Sequence, residues 1–173
     1  MPTRTGKYWS YQEDVTSANM NKAPQGAIGR EKITSTQSSI STTEVLLTSY
    51  SSTVSTQGGP RQHRIDAVAH LKPAAGLTMP TSTASGTPIA GNQQMTLRIR
   101  ENSISGTVLG RCQVPTPSSD VASTVHCVGW NVSVSGSVTY VVTAEGYGLT
   151  TWETTNDSAR PGWLVVSDEG PAF

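Results

Sequence analysis

Met95-Thr96-Leu97-Arg98-Ile99-Arg100-Glu101 alternates apolar and polar side chains without a break. Successive side chains of a β-strand point to opposite faces. Met95, Leu97 and Ile99 therefore share one face, and Thr96, Arg98 and Arg100 share the other. The pattern predicts a strand whose inner face is buried and whose outer face is wet. A helix would need its apolar residues three and four apart. The arginines read as the solvated face of a sheet, not as a basic ligand site.

The same period extends outward in both directions. His63-Arg64-Ile65-Asp66-Ala67-Val68-Ala69-His70-Leu71 is apolar one position in two from Ile65 to Leu71. Strand formers dominate 44–54, Val138–Ala144 and Trp163–Val166, and more weakly 149–155. Ile104–Val114 and Val121–Val134 read as further strand regions, with Trp130 as a core anchor. Gly58-Gly59-Pro60, Asn102-Ser103 and Pro115–Asp120 are turns, and Pro73–Gln93 is a long loop or insertion. Eight or so short strands between Gly and Pro loops predict an all-β, antiparallel two-sheet sandwich or jelly roll. There is no βαβ alternation, which argues against a nucleotide-binding α/β fold. The expected core includes Leu97, Ile99, Trp130, Tyr140, Val142, Leu164 and Val166.

The β pattern begins near Gly26, dividing the chain into an extended N-terminal arm, 1–27, and a sandwich domain, 28–173. The arm holds an aromatic cluster, Tyr8-Trp9-Ser10-Tyr11, then a capped helical turn over 14–21, with Thr16 as N-cap and Pro24 as terminator. It is too short to build a core of its own. Its apolar residues in a polar setting suit a binding hot spot. Tyr8, Trp9, Tyr11, Val15, Asn19, Met20 and Asn21 are therefore expected to anchor the protein to a partner.

Lysine plus arginine number 12 and aspartate plus glutamate 12, so the formal net charge is zero. Nucleic-acid binding is not expected without a basic face. No apolar run approaches the ~20 residues that span a bilayer. Met1-Pro2-Thr3-Arg4-Thr5-Gly6-Lys7 has no apolar run behind it and is not expected to act as an export signal. Only 35% of residues are hydrophobic and 6% aromatic, a thin core for this length that favours oligomerisation.

Chemistry-bearing patterns are scarce. There is no GxSxG elbow and no P-loop. His63 and His70 lie seven apart on one predicted strand and so face opposite ways, which prevents shared metal ligation; His126 is the third neutral-pH base. Asp66, Glu101, Glu145, Glu153 and Asp157 show no glycosidase-like spacing. Cys112 and Cys127 lack a CxxC spacing, leaving either buried free thiols or a cross-strand disulfide. Asn131-Val132-Ser133 and Asn156-Asp157-Ser158 match the glycosylation sequon. Trp152 and Tyr147 are candidates either for stacking on a sugar ring or for half-buried packing. No enzymatic activity, metal or cofactor is expected.

Four stretches carry a resemblance. Asp14–Asn21 followed by Pro24-Gln25-Gly26 resembles an N-terminal element of phage virion proteins, in the sense V-T-A-A-x-x-N, then P-x-G. Leu97–Glu101 is similar to their L-R-I-R-E strand, and Val138–Ala144 to their H-T-Y-x-L-x-A strand. Trp163–Pro171 resembles their ending, L-x-V-x-D-x-G-P. Order and spacing fit over nearly the whole chain. Such proteins occur in tailed phages of actinobacteria as minor tail, head-fibre or capsid decoration proteins. The resemblance implies a tumour-necrosis-factor/C1q-like jelly roll, usually trimeric. It also implies a non-enzymatic structural role, with the arm clamping the major capsid protein or another virion protein. The expected place is the virion, at the capsid surface, after assembly in the host cytoplasm. The alternative is a minor tail or fibre protein that binds host surface glycan.

Overall fold

A computed structural model describes residues 25–56, 59–74, 94–115, 122–147 and 151–172. Ten strands lie among these residues: β1 (Gly26–Ile33), β2 (Gln37–Ile40), β3 (Val45–Ser55), β4 (Arg61–Pro73), β5 (Gln94–Glu101), β6 (Val108–Pro115), β7 (Ser123–Val134), β8 (Ser137–Tyr147), β9 (Trp152–Thr154) and β10 (Gly162–Pro171). The arm, its helical turn and its anchoring residues Tyr8, Trp9, Tyr11, Val15, Asn19, Met20 and Asn21 lie outside the described residues, as does 75–93.

All pairings are antiparallel, and five of them nest. β5 pairs with β6, β4 with β7, β3 with β8, β2 with β9 and β1 with β10. The chain is thus one long hairpin. It is rolled up because β10 also pairs with β4 and β8 with β5. The first sheet runs β1-β10-β4-β7, with β9 pairing the far end of β4 and β2 pairing β9. The second runs β3-β8-β5-β6. First-with-last pairing distributed over two facing sheets defines a jelly roll.

The alternation over 95–101 is realised: Met95, Leu97 and Ile99 are buried, while Arg98 and Arg100 lie on the outer side. On β4, Ile65, Ala67, Ala69 and Leu71 all point inward. Tyr140, Val142, Leu164 and Val166 join them in the core, as expected. The chain turns at Asn102, whose φ of 63° lies in the left-handed region that asparagine tolerates. Its Oδ1 accepts the Thr139 amide at 3.1 Å.

Two tryptophans end at opposite depths, and one departs from its expected place. Trp130 is not a core anchor, being 43% exposed on the outer face of β7. The inward phase of that strand is held by Val125, Cys127 and Gly129. At Gly129 the strand runs so close to β6 that an added Cβ would stand 3.2 Å from the Leu109 carbonyl carbon. An indole shifted into that phase has no room. Trp152, by contrast, is fully buried, so it offers no platform to a sugar. It sits on the three-residue β9, opposite Ile40 of β2 and Pro73 of β4. Tyr147 remains 63% exposed.

Candidate interaction faces

The outer face of the second sheet carries an electrostatic network centred on Glu44. Arg100 donates to both carboxylate oxygens of Glu44, at 2.7 and 2.8 Å. Arg98 reaches Glu145 at 2.6 Å and Glu44 at 3.3 Å. The Thr143 hydroxyl also donates to Glu44. Burial alone would raise the Glu44 carboxyl, but hydrogen bonds from Arg100 and Thr143 and the two guanidinium charges outweigh it, so its pKa falls below the usual range. Both arginines are answered by carboxylates, while Arg111, opposite Arg98 on β6, is exposed.

The outer face of the first sheet differs. Val128, Trp130 and Val132 of β7 are exposed. The register sets Val128 beside Asp66 of β4, and Asp66 beside Val165 of β10; Trp163 lies opposite Val68 in the next row. Trp163 and Val165 are half-buried, and the Arg30 guanidinium stacks 4.5 Å above the Trp163 ring. Charges interleave the apolar rows. Asp66 accepts from Arg64 at 2.8 Å and from His126 at 2.9 Å.

Between the sheets, near the start of β4, lies a polar cluster that the sequence reading missed. Arg61 Nε donates to both oxygens of Asp168, at 3.1 and 2.9 Å, with Nη2 2.8 Å from Oδ2. Both side chains are almost wholly buried. The signal was present: Arg61 and His63 continue the inward phase of Ile65–Leu71, and Asp168 continues that of Leu164 and Val166. His63 is buried with Nδ1 2.8 Å from the Tyr140 hydroxyl and Nε2 without a hydrogen-bond partner. His70 lies on the other face of β4 against Thr124, so the expectation of opposite faces holds.

Desolvation lowers the His63 pKa; Asp168 opposes this and Arg61 adds to it. The ring is therefore neutral in the folded state at a pH where the unfolded chain, with an ordinary value of 6.5, binds a proton. The unfolded state then holds more protons, so stability rises with pH in that window and is lost as pH falls through it. Urea midpoints should drop between pH about 7.5 and about 5.5. His63→Gln should flatten that drop; an unchanged slope would remove His63 as its source.

A polar cleft of about 340 Å³ lies where β2 and β9 meet, lined by Thr36, Gln37, Ser38, Lys72, Glu153 and Thr155 among others. Lys72 pairs with Glu153 at 3.0 Å. Asp157 is taken up by its own turn, accepting the amides of Ala159 and Arg160. Asn156, one of the two sequon asparagines, is buried and bonds both the His70 amide and the Tyr50 hydroxyl, so it cannot carry a glycan in the folded protein. Cys112 and Cys127 are free thiols. Among the described residues no three His, Cys, Asp or Glu side chains converge as a metal-binding group.

No protein family and no curated protein matches the sequence. Solved structures do match in fold. One is Eiger TNF from S. frugiperda, with 5% identity and a TM-score of 0.47 over 86% of this chain and 96% of that one. Another is a carbohydrate-binding module of Cellvibrio mixtus lichenase 5A in complex with cellotriose, with 10% identity and a TM-score of 0.31 over 87% of this chain and 92% of that one. The chain is an antiparallel jelly roll, a class that hosts many unrelated functions, so function must be argued from its surfaces.

Proposed function

We propose that this protein is a non-enzymatic, homotrimeric structural component of a tailed-phage virion, most simply a capsid decoration protein. The carrying observation is the outer face of the first sheet, where β7 presents Val128, Trp130 and Val132 to solvent on the same side as the half-buried Trp163 and Val165 of β10. Tryptophan amid apolar neighbours is the composition of an interface core. A thin core gains stability when such a face is covered by copies of the same chain. The virion placement is supported by the resemblance of the terminal motifs. The clamp on the major capsid protein is assigned to the arm, with Tyr8, Trp9 and Tyr11 as anchors.

Sedimentation at micromolar concentration should give a trimer, and Trp130→Ser combined with Val132→Ser should give a folded monomer. A stable monomer of the parent chain would overturn the assembly reading. Deleting residues 1–23 should leave the trimer but abolish binding to particles. Decoration as tight as that of the full chain would overturn the anchoring role.

The cleft beside β9 favours one second reading, a fibre protein that binds host surface glycan. Its hydroxyls, amide and opposed charges suit a polyhydroxylated ligand. Binding of cell-wall saccharide that is lost in Lys72→Ala would support it.

A further inference from the structure

Among the described residues β6 pairs only with β5 and β7 only with β4, so both lie at an edge of their sheets. At this edge the two sheets close on each other. A Cβ built on Gly110 of β6 would stand 2.3 Å from the Val128 carbonyl oxygen and 2.7 Å from the Gly129 Cα. One built on Gly129 would stand 3.3 Å from the Gly110 nitrogen. The backbones touch there because neither residue has a side chain. Two residues along, in opposite chain directions, come Cys112 and Cys127, with their thiols in hydrogen-bond contact. Two further along come Val114 and Val125, both buried. Both cysteines face inward, in register with Leu97 and Ala67.

We propose that Cys112 and Cys127 form a thiol–disulfide site that locks the two sheets together along the β6–β7 seam. A disulfide needs Cα atoms about 4.4–6.8 Å apart, an approach that the bare glycine contact beside it permits. The two thiols have different roles. Cys112 is half-buried and Cys127 fully so, so a reagent from solvent meets Cys112 first. The hydrogen bond from Cys127 favours the Cys112 thiolate, while the same contact and burial push Cys127 upward.

The oxidant is a low-molecular-weight disulfide of the glutathione class. The Cys112 thiolate attacks one of its sulfurs, forming a mixed disulfide and releasing one small thiolate. Cys127 then gives up its proton and attacks the Cys112 sulfur. The protein disulfide forms, and the second small thiolate leaves and takes the proton. The protein loses two electrons and two protons overall, and the oxidant becomes two thiols.

The test uses the full chain treated with glutathione disulfide, then with dithiothreitol. Oxidation should lower the intact mass by two hydrogens and leave no thiol that reacts with maleimide after denaturation. It should also raise Tm by roughly 5–10 °C. Dithiothreitol should reverse all three. In Cys127→Ala, glutathione should stay attached at Cys112; in Cys112→Ala, Cys127 should remain unmodified. Two reactive thiols after oxidation, a persistent glutathione adduct on the parent chain, or a disulfide between chains would each overturn the proposal.

Discussion

Replacing Asp168 by alanine should destabilise the fold by about 3–5 kcal/mol, the cost of taking one member from a buried ion pair. The Arg61 guanidinium cannot shed its proton to escape the interior. It is gripped by Asp168 through Nε and Nη2, with the two side chains 1% and 2% exposed. The carboxylate also caps the chain by accepting the Gly170 amide at 2.8 Å, beside a register shift in β10. The result expected in urea is a midpoint lowered by a large share of a total stability of ~5–15 kcal/mol. Replacing the pair together, Arg61→Met with Asp168→Leu, should cost much less, because no charge is then left inside. A loss under about 1 kcal/mol for Asp168→Ala would show that water or other groups of the protein compensate Arg61 without Asp168.

Trp152→Ala is the second large effect, with an expected loss of about 3–5 kcal/mol. Among the described residues Trp152 is the largest fully buried side chain, and its Cδ1 lies 3.0 Å from where a Cβ on Gly146 would stand. It joins β9 to both β2 and β4, so the damage should be uneven. Hydrogen exchange should quicken in β2, which has four residues and among the described residues pairs only with β9, before it quickens in β5. Uniform quickening would mean that β2 and β9 unfold only with the whole domain.

The sequence revealed the fold where one strand face was apolar and the other polar. Met95–Glu101 and Ile65–Leu71 fall in that class, and both were placed correctly. Trp130 misled because side-chain size was weighed above phase: Val125 and Cys127 already fixed which side of β7 faces in. Trp152 stayed open between packing and a sugar platform, since a three-residue strand is too short to show a period. Arg61, His63 and Asp168 were legible only by extending an established alternation into polar residues, where hydrophobicity gives no prompt. The Cys112–Cys127 contact depends on two different sheets converging at an edge. No local pattern reports that, although the glycines at 110 and 129 are its trace. The exposed face of the first sheet was hidden by the same error that put Trp130 inside.

The nested strand pairing has a consequence for how the molecule comes into being. β1 is made early on the ribosome, yet its partner β10 is made late, and β10 is also the strand that joins β1 to β4. Until β10 emerges, β1 and one side of β4 remain open edges, able to pair with a neighbouring nascent chain. Folding must wait on the longest loop closure in the domain, which places it among the slower folders, on the order of milliseconds to seconds. The central hairpin of β5 and β6 has the shortest connection of the five nested pairs. It is the natural starting point, and the roll then winds outward as each later strand finds an earlier one waiting.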